Sequence, residues 1–266
     1  MKLDQGFSEV NGTRLYYEQA GDGRTIVFIH GFSLDCRMWD DQFNAFARNC
    51  HVVRYDLRGF GRSAPASDDA FSPVQDLQAL LEDLSVQRAC VVGLSLGGAI
   101  AIDYALAFPE ATDALIAADS GLIGYAWPRG RPLAGPAEVA ATEGIDAAKH
   151  AWLGSELFVP ACEQADVSER LTEYVGDYSG WHWLNNNPAI LSDPPAIERL
   201  ENIQCPTLVI VGERDTQDFH EISEILTQSI PNASLCTIPR VGHMSNLEDA
   251  EGFNLAMLDF LEKFAT

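Results

Sequence analysis

Positive charge is scarce in this chain. Among 266 residues, 17 Lys and Arg stand against 39 Asp and Glu, a formal net charge of −22. Such a surface repels phosphate backbones and anionic headgroups, which argues against nucleic acid and membrane as partners. Lysine is the rarer base: Lys2, Lys149 and Lys263 are the only three, and none lies in a phosphate-binding loop. Cysteine forms no C-x-x-C pair, because Cys36, Cys50, Cys90, Cys162, Cys205 and Cys236 are scattered. Several sit in or beside apolar runs, where a free thiol acts as a small hydrophobe. There is no H-E-x-x-H and no paired Cys/His spacing, so neither metal nor cofactor is expected. No apolar run reaches membrane-spanning length, and Met1 to Gly6 shows no apolar h-region; the expectation is a cytoplasmic protein. Internal repeats and low-complexity tails are missing as well.

What is present is the texture of an α/β chain. Hydrophobic residues make up 47% of it, enough for one large α/β domain or two small ones. Asn11-Gly12 between Phe7–Val10 and Arg14–Gln19 predicts a hairpin. Continuous apolar runs at Thr25–Ile29, His51–Tyr55, Ala114–Ala118, Pro206–Gly212 and Ser234–Ile238 predict strands, most of them covered on both faces. Helical spacing is predicted over Met38–Ala47, Pro73–Leu84, Phe219–Ser229 and Asn246–Phe264. A hairpin followed by alternating strands and helices implies a mostly parallel sheet with helices on both faces. Between Gly121 and Asp193 the alternation stops. That stretch is rich in Gly, Pro, Ala and aromatics and has no strand run. It reads as a helical insertion of residues 121–196 over the strand ends, leaving residues 1–120 and 197–266 as the core.

The chemistry centres on Gly93-Leu-Ser95-Leu-Gly97. A β-branched apolar run ends there and a small-residue helix opens, the strand–turn–helix context that places a nucleophilic serine on a tight turn. Gly93 and Gly97, lacking Cβ, leave room for the strained backbone. The backbone N–H of Leu96, next after the serine, is then a candidate for one half of an oxyanion hole. A serine hydroxyl needs a base, and the base needs a carboxylate to hold its tautomer. His243, in a loop between Gly242 and the closing helix, fits the base better than the other histidines. His51 begins a strand, His150 and His182 lie in the insertion, and His220 lies in a helix. Asp215, just past a strand end, and Asp119, which ends the preceding strand, are the rival acids. Glu248 and Asp249 open the closing helix with charge that suits its dipole. The stretch Gly59-Phe-Gly61 superficially meets a dinucleotide fingerprint, but Pro65 follows and no helix opens. Arg58 and Arg62 there, like Arg37 and Trp39, read as structural.

Ser95 in its turn, His30-Gly31 after an apolar strand, Asp56 to Ser63, Gly212 to Asp215 and Gly242-His243 together resemble the α/β-hydrolase superfamily, from about Phe7 to Phe264 apart from the insertion. The resemblance implies an eight-stranded, mostly parallel sheet with a small helical cap after the sixth strand. It implies the order Ser95, Asp215, His243 for the catalytic triad, which favours Asp215 over Asp119. His30 then belongs to the oxyanion turn, and Phe32 supplies its second backbone N–H. Trp127, Trp152, Trp181 and Trp183 in the insertion are candidates to line a substrate cleft. The expected activity is a serine esterase acting on a small to medium, largely apolar carboxylic ester, with a small-molecule partner and no cofactor. The same machinery admits an enol-lactonase, a C–C bond hydrolase or a perhydrolase, and outside enzymes a ligand receptor. Ser95 argues against a dehalogenase, which needs Asp at that place.

Overall fold

A computed structural model describes residues 2–263. Phe264, expected to end the last helix, lies outside the described residues. The first hairpin joins β1 (Asp4–Val10) to β2 (Thr13–Ala20) through Asn11 and Gly12, both at positive φ, as a primed turn requires. Then come β3 (Thr25–Ile29), α1 (Asp40–Phe46), β4 (His51–Tyr55), α2 (Pro73–Asp83), β5 (Ala89–Leu94), α3 (Leu96–Ala107) and β6 (Thr112–Ala118). With β7 (Thr207–Gly212) and β8 (Ala233–Ile238) from later in the chain, the strands form one eight-stranded sheet in the order β1-β2-β4-β3-β5-β6-β7-β8. Only the β1–β2 and β2–β4 pairs are antiparallel. The remaining pairs are parallel, and β3, β5 and β6 are buried almost throughout. Continuous apolar strands are what a sheet covered on both faces demands.

Between β6 and β7 (Thr207–Gly212) the chain runs through α4 (Ala134–Glu143), α5 (Ile145–Leu153), α6 (Val159–Cys162), α7 (Ala165–Asp177) and α8 (Trp181–Leu184), with no named strand. The only pairing there is a single bridge from Ala189 to Phe71. This segment is fastened to the sheet side by ion pairs. Arg37 holds Asp35 beside it and reaches Glu173 at 2.8 Å and Asp177 at 2.7 Å on or at the end of α7. Arg170 meets Asp41 at 2.9 Å. The chain closes with α9 (Gln217–Ser229), β8 (Ala233–Ile238), α10 (Ser245–Glu248) and α11 (Ala250–Glu262).

Two expectations need correction. The helix expected over Met38–Ala47 begins as a tighter 3-10 turn, Cys36–Trp39, because the Asp35 side chain accepts the Arg37 N–H and starts the turn early. The closing helix expected from Asn246 is broken at Asp249, whose backbone leaves the helical region and whose side chain caps α11 by accepting the Gly252 N–H at 2.9 Å. No described helix is long and apolar enough to cross a membrane.

Strand order reverses between β3 and β5. β4 lies on one side of β3 and β5 on the other, so the chain leaving β3 and the chain leaving β5 diverge at their C-terminal ends. Open parallel sheets bind ligands in the crevice made there. Ile29 pairs with Gly93, which sets the loop after β3 beside the turn after β5.

The turn survives because of missing side chains. A Cβ on Gly93 would collide with the Gly97 carbonyl oxygen, and one on Gly97 with the Ile29 carbonyl oxygen. Both obstacles are backbone and cannot swing aside. Gly97→Ala is therefore expected to destabilise the chain by more than about 2 kcal/mol in urea unfolding. Gly135→Ala, where nothing lies within 4 Å, is expected to stay within about 1 kcal/mol of the native chain.

Candidate active site

Ser95 sits between β5 and α3 with φ 56° and ψ −113°. A non-glycine residue there carries roughly 1–3 kcal/mol of strain, held by the surrounding fold. Its own N–H donates to Ala118 O at 3.0 Å, so the turn is stitched to β6. Six other described non-glycine residues share the positive φ: Asn11, Ser85 and Arg240, and also Ser33, Asp119 and Trp127. Ser33 follows Phe32 after β3, Asp119 follows β6, and Trp127 lies in the insertion.

His243 is buried in the loop after β8, and its Nδ1 lies 2.9 Å from Oδ2 of Asp215, which follows β7. With Nδ1 engaged by that carboxylate, Nε2 is the ring nitrogen left over. The His243 ring packs on Phe219 of α9, centroids 4.2 Å apart. Phe219 in turn lines the same cavity as Ser95. The rival acid Asp119 is engaged elsewhere. Its Oδ1 accepts the Gly212 N–H at 2.8 Å and its Oδ2 accepts the Ser245 hydroxyl at 2.5 Å. Asp119 thus ties the ends of β6 and β7 to the loop beyond His243.

The backbone N–H groups of Phe32 and Leu96 donate to no other group among the described residues. For Leu96 the cause is its place in the first turn of α3, where no intrahelical acceptor exists. His30, fully buried, shapes the turn before Phe32. Its Nδ1 lies 2.8 Å from Gly31 O and its Nε2 accepts the Leu57 N–H at 2.9 Å. That pattern puts the ring proton on Nδ1, and burial lowers the pKa, so the ring is a neutral brace.

A cavity of about 430 Å³ opens at Ser95. Phe32, Leu96, Trp127, Trp152 and Leu157 are among its walls, with Arg131 its only charged lining residue. Trp152 is anchored by its indole N–H, which donates to Ser33 Oγ at 2.7 Å. Trp127 packs edge-on against Phe219. Trp181 and Trp183 are placed differently from the expectation and do not line this cavity. Trp181 faces an outer groove with Leu184 and Asn185. Trp183 is buried against Tyr178 and Phe32. Residues spaced two apart on a single short helical turn point to different neighbours.

Several contributors were missed from sequence. Glu248, read there as a dipole charge, accepts the N–H groups of Gly242 and Met244 at 2.8 and 3.0 Å, one on each side of His243. An acid five residues past His243, facing two backbone donors that a tight loop leaves unpaired, was the available signal. The loop bearing Trp127 is stapled to α9. Tyr125 Oη donates to the Asp218–Glu221 pair at 2.9 and 2.7 Å, and Arg129 bridges the same two acids. Asp35, Cys36 and Asp56 cluster closely enough to hold a cation. The carboxylates are already bonded, Asp35 to Arg37 and Asp56 to the N–H groups of Cys36 and Arg62.

The sequence model of the alpha/beta hydrolase family matches residues 26–256. The 2-hydroxy-6-oxononadienedioate/2-hydroxy-6-oxononatrienedioate hydrolase of Comamonas testosteroni is 26% identical, over 93% of this chain and 91% of its own. The 2-hydroxy-6-oxo-6-phenylhexa-2,4-dienoate hydrolase of Burkholderia cepacia is also 26% identical, over 93% and 91%. Among solved structures, the enol-lactonase from Burkholderia xenovorans LB400 is 27% identical with a TM-score of 0.83, over 97% of this chain and all of its own.

Burial raises the Asp119 pKa, and the neighbouring Asp215 charge adds to the effect. Between its unfolded value near about 4 and the raised value, the folded chain keeps a proton that the unfolded chain has lost. Stability from this group is present at low pH and is lost as pH rises through the folded pKa. Asp119→Asn has no such proton. Its stability relative to the native chain is expected to improve steadily as pH rises, in urea unfolding at a series of pH values. A constant difference would mean Asp119 ionises normally.

Proposed function

The chain belongs to the alpha/beta hydrolase family, and within it we propose a serine hydrolase that cleaves a small to medium, largely apolar carboxylic ester through an acyl-enzyme. The observation that carries this reading is the buried His243–Asp215 pair at 2.9 Å, joined through Phe219 to the cavity that holds Ser95. In it, Ser95 Oγ attacks the ester carbonyl while Nε2 of His243 takes the hydroxyl proton. Asp215 holds the imidazole by Nδ1 and stabilises it once charged. The N–H groups of Phe32 and Leu96 receive the oxyanion, and losing one such donor typically costs about 3 kcal/mol of transition-state stabilisation. The alcohol departs with the proton from His243. Water, deprotonated by His243, then attacks the acyl carbon, the acid leaves and Ser95 is restored. No cofactor enters. Residues 121–196 act as the cap, with Trp127 and Trp152 against substrate.

The enol-lactonase neighbour fits this reading as a cyclic-ester case. The two dienoate hydrolases favour a second one, cleavage of a C–C bond beside a ketone by the same residues.

The two separate on substrate. p-Nitrophenyl esters of increasing acyl length, and 2-hydroxy-6-oxo-6-phenylhexa-2,4-dienoate, are assayed on native protein and Ser95→Ala. Ester turnover falling at least about 10⁴-fold in Ser95→Ala supports the esterase, and turnover of the dienoate alone supports the C–C hydrolase. Equal rates in native protein and Ser95→Ala would sink both. Asp215→Asn is expected to lower kcat about 10³- to 10⁴-fold, whereas a loss under tenfold would point to another acid.

A further inference from the structure

A second chamber of about 180 Å³ adjoins the first and shares its walls at Phe32, Leu96, Ala99 and Ile123. Nothing in the triad chemistry uses it. It is large enough for one small ring, since a cavity of roughly 150 Å³ accommodates benzene. Its charges are spent internally. Arg58 pairs with Asp76 at 2.9 Å, and Asp103 accepts the Ser192 hydroxyl at 2.9 Å. Two carboxyl groups against one guanidinium make the chamber hostile to an anionic guest.

Two polar groups of its lining residues bond no protein group among the described residues. One is Tyr55, fully buried, whose hydroxyl has no hydrogen bond. A buried polar group left unpaired is rare enough to need an explanation. The other is Nε2 of His182, and its protonation follows from its neighbours. The backbone N–H of His182 donates to the Tyr178 hydroxyl oxygen at 3.2 Å. That same oxygen lies 2.8 Å from Nδ1 of His182. An N–H can only donate, so the Tyr178 oxygen accepts from the backbone. Its own hydrogen has one acceptor in reach among the described residues, Nδ1. With that hydrogen given to Nδ1, the ring proton is assigned to Nε2. Burial lowers the His182 pKa to about 4, which keeps the ring neutral. The ring is held in place by stacking on Phe60, with centroids 4.6 Å apart and planes inclined by 12°, and by an edge contact to Phe32. Nε2 bonds no protein group among the described residues.

We propose that this chamber is a subsite for the part of the substrate remote from the scissile carbonyl, a neutral group of about one ring carrying a carbonyl, ether or hydroxyl oxygen, and that Nε2–H of His182 donates to that oxygen. His182 is in this sense a specificity residue. In this proposal one molecule lies past Phe32 and Leu96, which line both chambers, reacting in the first and being recognised in the second. The inference rests on the hydrolase reading only for which end of the substrate enters here; occupancy itself does not depend on turnover.

Binding to Ser95→Ala protein tests it by calorimetry, with acetophenone and its isostere α-methylstyrene, in which a CH₂ replaces the oxygen. Acetophenone is expected to bind about fivefold to tenfold tighter, the value of one neutral hydrogen bond. His182→Phe in the same background keeps the stack on Phe60 and removes the donor, so the preference should vanish while α-methylstyrene binding is unchanged. Tyr178→Phe releases the tautomer and should reduce the preference twofold or more, which covers the case of a His182 variant that does not fold. Equal binding of the two probes to Ser95→Ala protein, or a preference that survives His182→Phe, would overturn the proposal. Failure of the ester assay alone would leave these binding results standing and would reject only the esterase reading.

Discussion

A strand that becomes a helix within one residue is the constraint on which the rest of the molecule depends. The chain leaves β5 at Leu94, passes Ser95 at positive φ and enters α3 at Leu96. To do so, backbone must lie against backbone: Gly93 against the Gly97 carbonyl, and Gly97 against the Ile29 carbonyl at the end of β3. The strain this imposes is met by the sheet, since the Ser95 N–H is tied to Ala118 of β6. Everything at the crevice takes its position from that arrangement. Phe32 follows β3, Ser95 follows β5, Asp119 follows β6 and Asp215 follows β7, so neighbouring strands deliver neighbouring groups.

The ties run beyond the strands. The Asp119 N–H continues the β6–β7 ladder to Ile210 O, and its carboxylate then bonds Gly212 and Ser245. Glu248 braces both sides of His243 from the following turn. A buried carboxyl group accepting two hydrogen bonds tolerates little displacement, because each bond lost leaves an acceptor and its donor unsatisfied in a low-dielectric site. Two acids that do not touch the His243 ring thereby decide where the ring sits. The walls of the first chamber are fixed differently, by packing and by single anchors such as Trp152 on Ser33 and the Arg129 staple onto α9.

Much of this was legible in the residues. Continuous apolar runs announced strands buried on both faces, and Asn11-Gly12 announced the hairpin, because these signals depend on neighbours in sequence. The Ser95 turn was legible for the same reason, since glycine at Gly93 and Gly97 is required by local backbone geometry. Helix boundaries were less so. The break at Asp249 depends on a side chain capping back on Gly252, a choice that periodicity does not encode. Among the tryptophans, composition could point to residues 121–196 but not to which indoles line the cavity at Ser95; Trp127 and Trp152 do, while Trp181 and Trp183 turn to other neighbours.

The sequence by itself determined the elements, their alternation and the turn that exposes Ser95, because each of those rests on contacts within a few residues along the chain. Only the tertiary structure decided that Asp215 rather than Asp119 lies against His243, that Glu248 supports the loop, and that His182 lines a second chamber. Those outcomes depend on groups far apart in sequence, 28 positions in the case of His243 and Asp215. Their distances are set by strand order and packing, which no local pattern carries.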